Sequence, residues 1–308
     1  MRVQKDYLFK SLLIASAISI TACQKTEERK EFEEKQLNIE YRKIRSAREI
    51  QNSIDSIFVK PVIYDKMVPI ADLDADQKKE SFLQILLPAV LTVQWELRQK
   101  LERVKHIELQ MMHKRPVNPE DSLYLIQLMN RYQAESVLDL KKRLKPHAAS
   151  LVVAQAAVET GWGTSKLCLE ANNFFGVISA SPSNRKQTYR YYSEGKMLNM
   201  RKYSNILESI EHYFFILARA KSYHKFREQR WKGVRLEKLI SGLTAYSERK
   251  KYYMNYLRGM IRQNELRQYD HFQIDSSSVL LASKPQKHWG SMGNIMLRTP
   301  QFNAFLAK

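Results

Sequence analysis

The chain predicts a mainly α fold carrying one small β-hairpin, on three observations. Apolar residues recur at three- and four-residue spacing along most of its length, the period of amphipathic helices. Between Gln187 and Tyr203 that period gives way to Thr188, Tyr189, Tyr191 and Tyr192, then Ser193-Glu194-Gly195, then Met197 to Tyr203, which reads as two strands turning near Glu194-Gly195. The 308 residues are 44% hydrophobic, enough for one sizeable core or two modest ones, and wholesale disorder is excluded.

Taken in order, residues 1–22 have a secretory signal layout: Arg2, Lys5 and Lys10 precede a weakly apolar stretch from Ser11 to Ala22. Ala22 followed by Cys23 resembles the bacterial lipobox, in which the cysteine is acylated after cleavage. This implies a lipid anchor on the periplasmic side of the cell envelope, and Gln24 after the cysteine points to the outer membrane. Residues 23–48 are dominated by charge, including Glu27, Glu28, Arg29, Lys30 and Glu31, and are expected to form a tether. A helical segment, 49–135, follows. It opens on an extended connection around Val59 to Pro69 and continues into a helix whose apolar positions are Phe82, Ile85, Leu86, Ala89, Val93, Leu97, Leu101 and Val104. Asp74 or Asp76 is placed to cap it, and Pro88 predicts a kink or break. A further helix is expected from about Glu120 to Met129.

Residues 136–274 read as the functional domain. A helix rich in small residues runs from about Pro146 to Glu159 and ends at Thr160-Gly161-Trp162-Gly163, where Gly161 suits the left-handed position past a helix end. Beyond the hairpin, helices are expected from about Ile206 to Ala220, Leu236 to Leu243 and Lys250 to Asn264. The tail, 275–308, has Ser, Pro and Gly punctuation without a period, and is expected to be loosely ordered, with Trp289, Leu297, Phe302 and Phe305 available to dock.

Lys and Arg number 51 against 32 Asp and Glu, a formal +19, which attracts an anionic partner: nucleic acid, a membrane face or a cell-wall polymer. Export removes nucleic acid from that choice, and loss of residues 1–22 still leaves +17. No stretch reaches the roughly 20 apolar residues of a membrane-spanning helix. Two cysteines and seven histidines without HExxH or CxxC spacing predict neither metal nor cofactor. With Cys23 acylated, Cys168 is left unpaired and is expected to be buried and inert.

Glu159 is the first candidate for chemistry. It is a carboxylate in the last turn of an otherwise apolar helix, and apolar surroundings and the negative helix end both disfavour its ionised form. A raised pKa is what a general acid protonating a glycosidic oxygen requires.

The segment Ala154-Gln155-Ala156-Ala157-Val158-Glu159-Thr160-Gly161-Trp162-Gly163-Thr164-Ser165, with Asn172-Asn173-Phe174-Phe175-Gly176, resembles the signature of bacterial glucosaminidases, glycoside hydrolase family 73. Leu243-Thr244-Ala245-Tyr246-Ser247-Glu248-Arg249, Tyr252 and Ile261 to Asp270 are similar to its Bax-like subgroup, as are Ser81 to Arg98. The resemblance spans roughly residues 42–272. It implies a lysozyme-like (α+β) catalytic domain acting on peptidoglycan glycan strands, as an endo-β-N-acetylglucosaminidase cleaving the β-1,4 bond on the N-acetylglucosamine side. Glu159 matches the family's proton donor, and Tyr246 matches a tyrosine beside the reacting sugar. Glu194, the acidic residue of the hairpin, is either a second catalytic carboxylate activating water or a solvated turn residue. In the latter case the substrate's own acetamido group is the nucleophile. Trp162, Asn173, Phe174 and Phe175 are candidates for substrate contact, with one of the two phenylalanines expected in the cleft wall and the other in the core. Tyr252 is expected in the core, Arg227, Arg230 and Trp231 at the groove or on the solvated surface, and Glu208 and Glu211 on a solvated helix face. The alternatives are a lytic transglycosylase on the same fold and a non-catalytic peptidoglycan-binding lipoprotein.

Overall fold

A computed structural model describes residues 32–54, 56–179, 187–193, 195–244, 246 and 250–282. The signal segment, Cys23, Glu194 and the aromatic residues of the tail lie outside them. Glu34 onward forms one compact unit.

Four short strands, β1 (Lys35–Leu37), β2 (Glu40–Arg42), β3 (Phe58–Val59) and β4 (Val62–Tyr64), lead into helix α1, Ala75–Met112. Asp74 caps α1 by accepting hydrogen bonds from the backbone N–H groups of Asp76 and Gln77 at 3.0 and 2.9 Å. Nearly every residue from Phe82 to Gln94 is buried, so this stretch is the central rod of the core rather than an amphipathic surface helix. Beyond Gln94 the buried positions narrow to a stripe at Leu97, Leu101, Val104 and Ile107. Pro88 does not break the helix. Its missing N–H and ring cost about 3 kcal/mol in a helix interior, and burial of large apolar side chains on both flanks outweighs that.

Next come α2 (Pro119–Tyr132), α3 (Val137–Leu144), α4 (Ala149–Thr160) and α5 (Lys166–Ala171). Asn118, Ser136 and Ser165 each cap the helix that follows through a side-chain oxygen. α4 has no such residue of its own: Ala148 precedes it, and the Asp270 carboxylate does the work from afar, accepting from Ser150 N at 2.8 Å and Ser150 Oγ at 3.0 Å. The hairpin forms as expected, β5 (Thr188–Ser193) against β6 (Lys196–Arg201), antiparallel from Thr188↔Arg201 to Ser193↔Lys196. Helices α6 (Ile206–Arg219), α7 (His224–Trp231), α8 (Leu236–Ile240) and α9 (Lys250–Gln263) follow, then β7 (Gln273–Ile274) and β8 (Val279–Leu281). Among the described residues no helix is long and apolar enough to cross a membrane.

Two segments differ from expectation. The charged stretch 23–48 is not free throughout: β1 pairs antiparallel with β8, and β2 pairs parallel with β4. Residues 275–282, expected to be loose, supply that β8 partner after a turn at Ser276–Ser278. In both cases backbone pairing, which leaves no apolar period in the sequence, supplies the order. The helical segment and the catalytic region also share one continuous core, in which Phe82 and Leu86 of α1 pack with Val152 and Ala156 of α4 and Leu217 of α6.

Candidate active site

The small side chains of α4, Ala149, Ala154, Ala156 and Ala157, are buried, and they carry the helix through the core to Glu159 in its last turn. Gly161 then takes φ +57°, Trp162 φ +59° and Gly163 φ +82°. Gly163 is required by space as well as by dihedral, since a Cβ there would lie 2.6 Å from Met67 Cε and 2.9 Å from Phe82 Cδ2.

Glu159 is open to water on one side and walled by protein on the others. Desolvation against that wall raises its pKa above the ordinary glutamate value, and a hydrogen bond from the Tyr253 hydroxyl of α9 pulls in the opposite direction. Gly176, at φ +64°, closes the loop after α5 so that a Cβ built on it would stand 3.9 Å from Glu159 Oε2. Tyr246 lies beside this pair, its ring stacked on Tyr253 with centroids 5.5 Å apart. Its hydroxyl is buried with no hydrogen-bond partner among the described residues, and burial followed by the neighbouring Tyr253 and Glu159 raises its pKa well above the usual tyrosine value.

Other candidates fall elsewhere. Asn173 is buried and fully occupied: Nδ2 donates to the carbonyls of Val177 and Arg201 at 2.8 and 2.9 Å, and Oδ1 accepts from Phe175 N and Val177 N. It fixes the loop and has no polar atom left for substrate. Phe174 and Phe175 are both core residues, packed on Phe82 and stacked on Tyr213 respectively, so neither forms a cleft wall. Trp162 is half-buried, edge-on to Phe82 with Lys79 over its ring. It faces a cavity of about 240 Å³ whose walls include Lys79, Leu83, Gln263, Asn264 and Gln268. A larger cavity, about 320 Å³, lies at the other end of α4 beside Arg98, Lys145 and Asp270, roughly 15 Å along the helix from Glu159.

Tyr252, expected in the core, is 69% exposed and stacks on Tyr256, and its neighbour Tyr253 takes the inward position. Arg227 and Arg230 are buried, donating to backbone carbonyls of Leu217 and Ala220 and of Lys142 and Arg143. The carbonyls left over at the ends of α3 and α6 draw these cations inward. Trp231 lies under Lys141 and Lys145. Glu211 lies on an exposed helix face, as its spacing suggests, and desolvation and then Glu96 push its carboxyl up to about 7. Cys168 is buried, which raises its thiol pKa. Among the described residues no group of three or more His, Cys, Asp or Glu is placed to hold a metal ion.

Sequence reasoning missed Tyr253, and with it Gln155. The signal for Gln155 was present, because four residues before Glu159 on a helix is the same face one turn back.

Residues 134–266, which hold Glu159 and the hairpin, match the glucosaminidase family model described as mannosyl-glycoprotein endo-beta-N-acetylglucosaminidase. The matched region is similar to the glucosaminidase family, and within that family its likeness is to Bax-like proteins. Protein bax of Escherichia coli K12 is 31% identical over 134 residues, covering 41% of this chain and 46% of that protein, so the chain spans about half the length of the curated relative it matches. Among solved structures, the truncated glycoside hydrolase domain of Salmonella typhimurium FlgJ is similar at 23% identity and TM-score 0.29 over 45% of this chain and 96% of that one. The catalytic domain of the Listeria monocytogenes autolysin Auto is similar at 22% identity and TM-score 0.34 over 54% and 97%.

Proposed function

We propose that the protein is a peptidoglycan hydrolase, an endo-β-N-acetylglucosaminidase that cleaves the β-1,4 bond on the N-acetylglucosamine side with Glu159 as general acid. The observation that carries this reading is the state of one carboxyl group. Glu159 is open to water, desolvated on its protein side so that its pKa lies above the ordinary glutamate range, and hydrogen-bonded by Tyr253. A protonated carboxyl there donates to the departing sugar oxygen, and the Tyr253 hydroxyl then stabilises the carboxylate that remains. Tyr246, its hydroxyl buried, stacks on Tyr253 and holds that ring beside the acid. The basic surface holds an anionic wall polymer, and acylation at Cys23 tethers the enzyme to the envelope, on the periplasmic side of the outer membrane.

Digestion of purified sacculi followed by mass analysis tests the bond. Reducing-end N-acetylglucosamine is expected, whereas 1,6-anhydromuramic ends identify a lytic transglycosylase instead. Glu159→Gln is expected to lower turnover by about 10²–10⁴, the usual contribution of a positioned acid, while sacculus binding persists. A wild-type protein that binds sacculi and lyses none would make it a binding module. Incorporation of a labelled fatty acid that is lost in Cys23→Ser tests the anchor.

A further inference from the structure

Behind Glu159 a line of polar side chains crosses the core. Arg230 Nη1 lies 3.3 Å from His147 Nδ1, His147 Nε2 is 3.0 Å from the Tyr213 hydroxyl, Tyr213 Oη is 2.6 Å from Gln155 Oε1, and Gln155 Nε2 is 3.4 Å from the Tyr253 hydroxyl, which reaches Glu159. All five residues from Arg230 to Tyr253 are buried. Aromatic rings close them off from water: Phe175 stacks on Tyr213 at 4.1 Å, and Phe214 and Phe226 flank His147.

Donor and acceptor chemistry gives this line a direction. A guanidinium has only donors, so Nδ1 of His147 must accept. Burial and the adjacent Arg230 hold His147 neutral, which places its single proton on Nε2, where it donates to Tyr213. With that lone pair occupied, the Tyr213 proton goes to Gln155 Oε1, and the amide's other end donates to Tyr253. With Gln155 donating to it, the Tyr253 hydroxyl keeps its own proton to donate to the Glu159 carboxylate. From Arg230 to Tyr253 each link is compatible with the next in one sense only, and that sense runs toward the carboxyl.

We propose that Arg230, His147, Tyr213 and Gln155 are positioning residues forming a polarised relay that compels the Tyr253 hydroxyl to donate to Glu159. This rests on the reading of Glu159 as the proton donor. One carboxyl oxygen is thereby fixed as an acceptor, and the other is left to carry the transferable proton. Packing alone does not call for such a line, since apolar side chains of similar volume fill a core without buried polar groups to satisfy.

The test is to titrate Glu159 directly in the full chain by ¹³C carboxyl resonance, assigned by its absence in Glu159→Gln, and to record the pH dependence of wall lysis alongside. Tyr253→Phe is expected to raise the midpoint by about one pH unit, the scale of one hydrogen bond to a carboxylate. Tyr213→Phe and Gln155→Met, which do not contact the carboxyl, are expected to raise it by roughly half as much and to lower kcat with KM little changed. The relay is overturned if these two variants fold, as judged by circular dichroism, yet leave the midpoint at its wild-type value. If Tyr213→Phe does not fold, Gln155→Met alone decides. Shifted midpoints in a protein that lyses no wall support the relay and overturn only the hydrolase reading.

Discussion

A carboxyl group whose pKa is higher in the folded chain than in the unfolded one favours the fold less as pH rises. Glu159 is such a group, raised by desolvation. The native state holds its proton more tightly, so its contribution to stability is fully present below the unfolded glutamate value and is lost as pH climbs through the folded one. Two results follow in opposite directions. Lysis is expected to decline on an alkaline limb that lies above the ordinary glutamate value, as read from the pH dependence of kcat/KM. Glu159→Gln, inactive, is expected to unfold at least as reluctantly as wild type at pH values above that limb, as read by urea titration. The glycines near the acid separate on the same scale. Gly176→Ala meets only ordinary contact at 3.9 Å and is strained by its positive φ alone, about 1–2 kcal/mol. Gly163→Ala adds a collision with Met67 and Phe82 and is expected to lower the denaturation midpoint clearly further. The position of Glu159 in the last turn of α4 was legible from sequence, because an isolated carboxylate ending an apolar helix is conspicuous. Tyr253 was missed, although it stands at four-residue spacing with Leu257 and Ile261, the stripe that marks the inward face of α9.

Elements long enough to show several turns of period were readable to within a few residues, as α1, α4, α6 and α9 demonstrate. Of the short ones, Leu236–Ile240 was readable and three others were not. Val137–Leu144, Lys166–Ala171 and His224–Trp231 span little more than two turns at most and owe their existence to capping by Ser136 and Ser165 or to packing. The start of α4 depends on a residue 120 positions away in sequence, Asp270, which binds both polar groups of Ser150. That helix carries Glu159, so its anchorage bears on the proposed acid. Asp270→Ala is expected to cost about 1–2 kcal/mol, the upper range for loss of a helix cap, measured as a shift in the urea midpoint. Asp270→Asn, which keeps an acceptor for Ser150 N, is expected to retain part of it.

At the level of the whole molecule, the match to known families begins at residue 134, whereas the compact unit begins at Glu34. The intervening hundred residues contribute the rod against which the acid-bearing helix is laid, with Phe82 holding both Trp162 and Phe174 from behind. A protein engineer who clips the chain at the family boundary to graft the hydrolase onto another carrier would therefore strip away the hydrophobic backing of the very turn that presents Glu159. The expected product is insoluble or molten, with bound ANS fluorescence and no lysis, whereas a version starting at Glu34 is expected to express as a cooperative, folded enzyme. The leading helix is thus an inseparable half of the machine, and the smallest portable unit is larger than its recognisable signature.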